Sequence, residues 1–116
     1  MPLTLYGIPN CDTVKKARKW LDNHQLDYQF HDFRKEGLSQ QNLEQWCHAL
    51  GWETVLNKRS TSWRALSDEQ KADLNQEKAI ALMMEAPTLV RRPVLAKDGQ
   101  FKTGFKDTDY QVFFNL

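Results

Sequence analysis

The chain predicts an α/β fold: strand, helix, strand, a run of helices, then two strands and a last helix. Three observations carry this. Between Leu3 and His31 an apolar run, an amphipathic stretch and an alternating segment follow one another, which reads as a βαβ unit with parallel strands. Asp98-Gly99 joins two short apolar segments, the strongest short-range signal for an antiparallel hairpin. The middle, about residues 37–86, is punctuated by helix caps and apolar residues at helical spacing. Together these give a four-stranded mixed sheet in a βαβ…ββα order, with a helical insertion between its halves.

Leu3 to Gly7 is the first strand, closed by the loop Gly7-Ile8-Pro9-Asn10. From Asp12 to Asn23, Val14, Ala17 and Leu21 share one helix face, opposite Lys15, Lys16, Arg18, Lys19 and Asp22. Leu26, Tyr28 and Phe30 then alternate with Asp27, Gln29 and His31, the period of a strand. Ser39 predicts an N-cap, with Leu38 stapled to Leu43, for a helix whose stripe is Leu43, Trp46, Cys47 and Leu50 and whose stop is Gly51. Ser67-Asp68-Glu69-Gln70 is a capping box, and Ile80, Met83 and Met84 form a further stripe ending before Pro87. Pro87–Val90 and Val94–Lys97 flank Arg91-Arg92-Pro93, and the hairpin runs on from Gln100 to Gly104. Tyr110, Phe113 and Phe114 predict a C-terminal helix docked on the sheet and capped by Asp107.

A chain of 116 residues without repeat or linker is expected to be one domain, 1–116. Its net charge of +1 argues against nonspecific nucleic-acid binding. No apolar run approaches the ~20 residues that span a bilayer, and Met1 to Gly7 lacks the features of a secretory signal. The expectation is a cytoplasmic protein that does not enter membranes, with Cys11 and Cys47 reduced at rest.

Cys11 stands where the first strand turns into the first helix. Unpaired amide N–H groups and the partial positive charge of a helix N-terminus favour a thiolate there, and Lys15 lies one turn on. A cysteine between a Gly/Pro loop and a helix start is expected to be exposed and nucleophilic, not a packing residue. Val14 stands where a CxxC motif has its second cysteine, so internal resolution by that motif is excluded. Cys47 falls on an apolar stripe and is expected buried, which leaves an external thiol such as glutathione as the simplest electron donor. From residues alone Pro93 reads as an edge-strand or turn proline, and Arg59, Arg91 and Arg92 either hold an anion or solvate loops. His24, His31 and His48 lack metal-ligand spacing, and no phosphate loop or serine-hydrolase motif is present.

The segment Tyr6-Gly7-Ile8-Pro9-Asn10-Cys11-Asp12-Thr13-Val14-Lys15-Lys16-Ala17 resembles the arsenate reductase (ArsC)/Spx family, in its YffB-like branch. Asn57-Lys58-Arg59-Ser60-Thr61 and Arg91-Arg92-Pro93-Val94 extend the resemblance over nearly the whole chain. It implies a thioredoxin-like fold, Cys11 as the active thiol, Pro93 as a cis proline facing it, and Arg59 and Arg92 as anion-holding arginines. With Asn10, Asp12, Thr13 and Lys15 around the cysteine, these make the candidate substrate set. Two departures matter. Arsenate reductases of the family have Gly-Thr-Ser after the cysteine and a third arginine after the hairpin, whereas this chain has Asp12-Thr13-Val14 and Thr103-Gly104-Phe105-Lys106. Spx-like regulators carry a CxxC switch that Val14 removes.

The expectation is a monothiol oxidoreductase acting on a disulfide, mixed disulfide or oxyanion, with no bound cofactor and with glutathione as co-substrate. The alternatives are a regulatory protein that binds RNA polymerase and a true glutathione- or glutaredoxin-dependent arsenate reductase.

Overall fold

The computed structural model describes residues 3–116; Met1 and Pro2, part of the run read as lacking a secretory signal, lie outside the described residues. Strand β1, Leu3–Gly7, alternates buried Leu3, Leu5 and Gly7 with half-buried Thr4 and Tyr6. Helix α1, Asp12–Asn23, follows the predicted bounds and buries Val14, Ala17 and Leu21, with Trp20 beside them. Its end is a Schellman motif: Leu26 N–H donates to Leu21 C=O, Gln25 N–H donates to Asp22 C=O, and Gln25 takes φ +56°. Strand β2, Gln29–Asp32, pairs parallel with β1. It begins later than the alternation predicts, because Leu26 and Tyr28 pack against the core without joining the ladder. A four-residue helix α2, Phe33–Glu36, closes this half; Asp32 Oδ1 accepts from Arg34 N–H at its start.

Residues Gly37–Arg91 form a compact unit of their own, and the residues before and after them form the other. In the helical unit, α3 spans Gln40–Leu50, with the Ser39 hydroxyl accepting from Asn42 N–H and Gly51 at φ +88° ending it. Leu43, Trp46 and Cys47 are buried. Single turns follow as α4, Trp52–Val55, α5, Thr61–Arg64, and α6, Asp68–Lys71, the last opened by the predicted capping box with both of its hydrogen bonds formed. Helix α7, Gln76–Glu85, buries Ile80 and Met83, but Met84 is 39% exposed and is not part of the stripe. Pro87–Leu89 is a 3-10 turn, and Val90 makes only an isolated antiparallel bridge with Leu56. Pro87 at the start of the turn holds a φ suited to helical geometry.

The chain then returns to the sheet as β3, Val94–Lys97, and β4, Gln100–Thr103. Asp98 at φ +51° and Gly99 at φ +79° make the type I′ turn that the dipeptide predicts. The sheet order is β2-β1-β3-β4, parallel between β1 and β2 and antiparallel elsewhere, the thioredoxin-like arrangement. Helix α8, Asp107–Phe113, starts one residue earlier than expected: Lys106 is the N-cap and Asp107, the first helical residue, accepts from the Gln111 side chain. Leu3, Leu5, Ala17, Trp20, Leu21, Leu95 and Tyr110 form the core of this unit, so α1 and α8 cover one sheet face. Tyr110 is fully buried, edge-on to Trp20 at 5.3 Å and to Phe105 at 4.8 Å. Truncating any of the buried leucines is expected to cost about 2–5 kcal/mol. Among the described residues no helix is long and apolar enough to cross a membrane.

Candidate active site

The register of the sheet brings the candidate residues of the sheet unit to one end. Strand β1 runs out at Gly7, opposite Asp32 of the parallel β2, and the chain then passes through Ile8-Pro9-Asn10 into α1. Cys11 is the N-cap of that helix, extended at φ −95° and ψ 126°. Its N–H donates to Ile8 C=O at 3.3 Å, and its C=O accepts the first helical bond from Lys15 N–H at 2.9 Å. Both ends of the residue are thereby fixed while the side chain makes no capping bond. The thiol is half-buried and free. The first-turn amides beyond it have no intrahelical acceptor, and the partial positive charge of the helix N-terminus lies at this turn. Asn10, Asp12 and Lys15 are exposed around the turn and Thr13 is half-buried.

At the same end of the sheet, Val94 pairs with Tyr6, so β3 begins beside the point where β1 leaves for Cys11. The residue before Val94 is Pro93, buried, joined to Arg92 by a cis peptide bond, with its C=O accepting from Gly104 N–H at 2.9 Å. The two neighbouring arginines differ. Arg91 is engaged by the helical unit, its N–H donating to Val55 C=O and its Nε–H to Thr54 C=O. The Arg92 guanidinium makes no ion pair with a described residue.

Arg59 belongs to the helical unit, in the turn Asn57–Ser60. Asn57 N–H donates to Leu89 C=O at 2.8 Å, Asn57 Oδ1 accepts from Arg59 N–H at 3.0 Å, and the Ser60 hydroxyl donates to Asn57 C=O at 2.8 Å. The structure therefore assembles Asn10, Cys11, Asp12, Thr13, Lys15, Arg92 and Pro93 on one unit and carries Arg59 on the other. Cys47 is 2% exposed on α3, and burial, with Glu53 adding to it, pushes its thiol up to about 11. Of the two sulfurs, Cys11 is the one that reaches solvent.

Asp32 was not singled out by its sequence pattern, yet it is the buried acid at this end of the sheet, 8% exposed. The signal was available: an acid closing a strand just before a helical turn is a capping residue, and its carboxylate fills that role toward Arg34 N–H. A groove of about 500 Å³ on the helical unit, lined by Gln40, Glu44, His48, Gln76, Glu77 and Ile80, contains neither cysteine and none of the predicted site residues. No group of metal-ligating side chains is present among the described residues.

The chain is similar over most of its length to known proteins. The family model described as "ArsC family" matches residues 6–113. A solved structure of the YffB protein superposes with a TM-score of 0.93 at 47% identity, covering 95% of this chain and 96% of that one. An arsenate reductase (ArsC) related protein from Brucella melitensis gives a TM-score of 0.79 at 43% identity, covering 100% of this chain and 97% of that one. The global transcriptional regulator Spx of Lactiplantibacillus plantarum is 27% identical over 111 residues, 94% of this chain and 83% of the regulator.

Proposed function

We propose, on the premise that this chain belongs to the ArsC family as its match over residues 6–113 shows, that it is a cytoplasmic monothiol oxidoreductase using Cys11 as nucleophile and glutathione as electron donor. One observation carries the reading: Cys11 is the accessible thiol, held at the N-cap of a 12-residue helix beside the exposed Lys15.

The chemistry follows thiol–disulfide exchange. Cys11 thiolate attacks one sulfur of a disulfide; a Cys11–sulfur bond forms, the original sulfur–sulfur bond breaks, and the departing thiolate takes up a proton. Glutathione thiolate then attacks the mixed disulfide, restoring the Cys11 thiolate and releasing a disulfide. For a glutathione-capped protein thiol, the sum is the free protein thiol and glutathione disulfide formed from the mixed disulfide and one glutathione. Arg92 and Arg59 hold anionic groups of the substrate, Asn10, Asp12, Thr13 and Lys15 line the approach to the sulfur, and Pro93 shapes the backbone beside it. Support comes from the shared family and from guanidinium chemistry, which suits carboxylate and oxyanion binding. The test is glutathione-dependent reduction of a mixed disulfide. Wild type is expected to be active and Cys11→Ser inactive, and full activity in Cys11→Ser rules the reading out.

A second reading rests on the similarity to Spx: a regulatory module binding RNA polymerase independently of sulfur. Co-purification of the polymerase with both wild type and Cys11→Ser supports it. Arsenate reduction is disfavoured by the lack of an arginine in Thr103-Gly104-Phe105-Lys106, and glutathione-dependent arsenite production that falls sharply in Arg92→Ala would restore it.

A further inference from the structure

We infer that Lys58 is a positioning residue, committed to two indole rings, which leaves its neighbour Arg59 as the cation that meets the substrate's anionic group. The inference rests on the anion-holding role proposed for Arg59.

Two adjacent cations occupy the same exposed turn, and the structure treats them differently. The Lys58 ammonium lies 5.7 Å from the ring centroid of Trp52 and 5.7 Å from that of Trp63. Lys71 lies 5.2 Å from the Trp63 ring. Both indoles are half-buried. Each distance falls within the range in which a cation is attracted to the face of an aromatic ring, and an ammonium shared between two such rings is held by both. Trp52 opens α4, Trp63 lies in α5 and Lys71 ends α6, so the lysine–indole chain links three single-turn helices, none of which is long enough to be stable alone.

Arg59 is placed by that assembly. Its backbone N–H is fixed to Asn57 Oδ1, the turn is closed on both sides by Asn57 and Ser60, and the Ser60 hydroxyl also accepts from the Trp63 backbone N–H at 3.1 Å, capping α5, the helix that carries the indole. The Arg59 guanidinium makes no ion pair with a described residue. A guanidinium on a braced turn loses less conformational freedom on meeting a carboxylate, which tightens binding without any new contact. Lys58 acts through this bracing and does not touch the anion.

The test is titration of Cys11→Ser protein with glutathione by calorimetry, in the parent and in Arg59→Ala, Lys58→Met, Lys58→Arg and Lys58→Met/Arg59→Ala, with circular dichroism confirming folded protein in each. Lys58→Met is expected to weaken binding about threefold to tenfold, Lys58→Arg to restore it because a guanidinium also rests on indole faces, and the double variant to match Arg59→Ala. Parent-like binding by Lys58→Met alongside weakened binding by Arg59→Ala overturns the positioning role alone. A double variant weaker than Arg59→Ala by the full Lys58→Met factor overturns it too, since Lys58 then contacts the anion directly. Parent-like binding by Arg59→Ala overturns the underlying assignment of Arg59, and this inference with it.

Discussion

Gly7 lies against Val14 so closely that a Cβ built on the glycine falls 2.8 Å from one Val14 methyl carbon and 3.3 Å from the other. The contact joins the end of β1 to the first turn of α1 and spans the loop that presents Cys11. Val14 is fully buried, and its β-branched side chain has little rotamer freedom with which to move aside. Gly7→Ala is therefore expected to destabilise the protein by about 1–3 kcal/mol and to lower the reactivity of Cys11 as the helix start shifts. Thermal denaturation and the rate of Cys11 alkylation check the two effects; an unchanged Tm would show that the turn yields to the added methyl group.

The two cysteines should separate cleanly in alkylation. Burial raises the Cys47 thiol to about 11, so it remains protonated near neutral pH, and the residue is 2% exposed. Because the folded value lies above the ordinary one of ~8.5, Cys47 favours the folded state less as pH rises beyond that ordinary value, the unfolded chain ionising first. At pH 7.5 native protein is expected to accept a single iodoacetamide adduct, at Cys11, and a second only in denaturant. Mass spectrometry of peptides carrying each cysteine reads the outcome.

Gln25 sits at φ +56° just past α1, a conformation that glycine adopts without steric cost. Its side chain is exposed. Gln25→Gly is expected to stabilise the fold by about 0.5–1 kcal/mol, the relief of left-handed strain exceeding the added freedom of the unfolded chain. A rise in Tm of roughly 2–5 °C is the corresponding reading.

The Tyr110 hydroxyl is buried and has no hydrogen-bond partner among the described residues, while desolvation raises its ionisation well above the ordinary tyrosine range. Tyr110→Phe keeps the edge-on ring contacts with Trp20 and Phe105 and removes an unsatisfied polar atom. Its Tm at pH 7 is expected to equal or exceed that of wild type. Above pH ~10, unfolded tyrosine ionises while folded Tyr110 does not, so wild type loses stability there and the phenylalanine variant loses less. Chemical denaturation at pH 7 and pH 10.5 compares them.

The elements that were legible in the sequence are those whose signal is local. Helix α1 announces itself through Val14, Ala17 and Leu21, and the β3–β4 turn through Asp98-Gly99, since each pattern maps directly onto a backbone geometry. The single turns α2, α4 and α5 and the 3-10 turn Pro87–Leu89 are too short to show a period. Leu26 and Tyr28 alternate like ladder residues but only pack beneath the sheet, a difference set by tertiary contacts. At the site, the place of Cys11 follows from its position between loop and helix. What separates Arg91 from Arg92 depends on a partner distant in sequence, Thr54, and what separates Lys58 from Arg59 depends on how the turn folds back on Trp52 and Trp63, neither of which a local pattern shows.

One sulfur at the surface and one sealed in the helical unit has a consequence for how this protein records its own oxidation. A dithiol enzyme can store an oxidising equivalent by closing on itself, nearly unchanged in weight. On the proposed role of Cys11, a surface thiol oxidised by sulfur exchange takes on another molecule's sulfur, so that copy is heavier by the group it last met. Intact mass would then report the partner of that exchange.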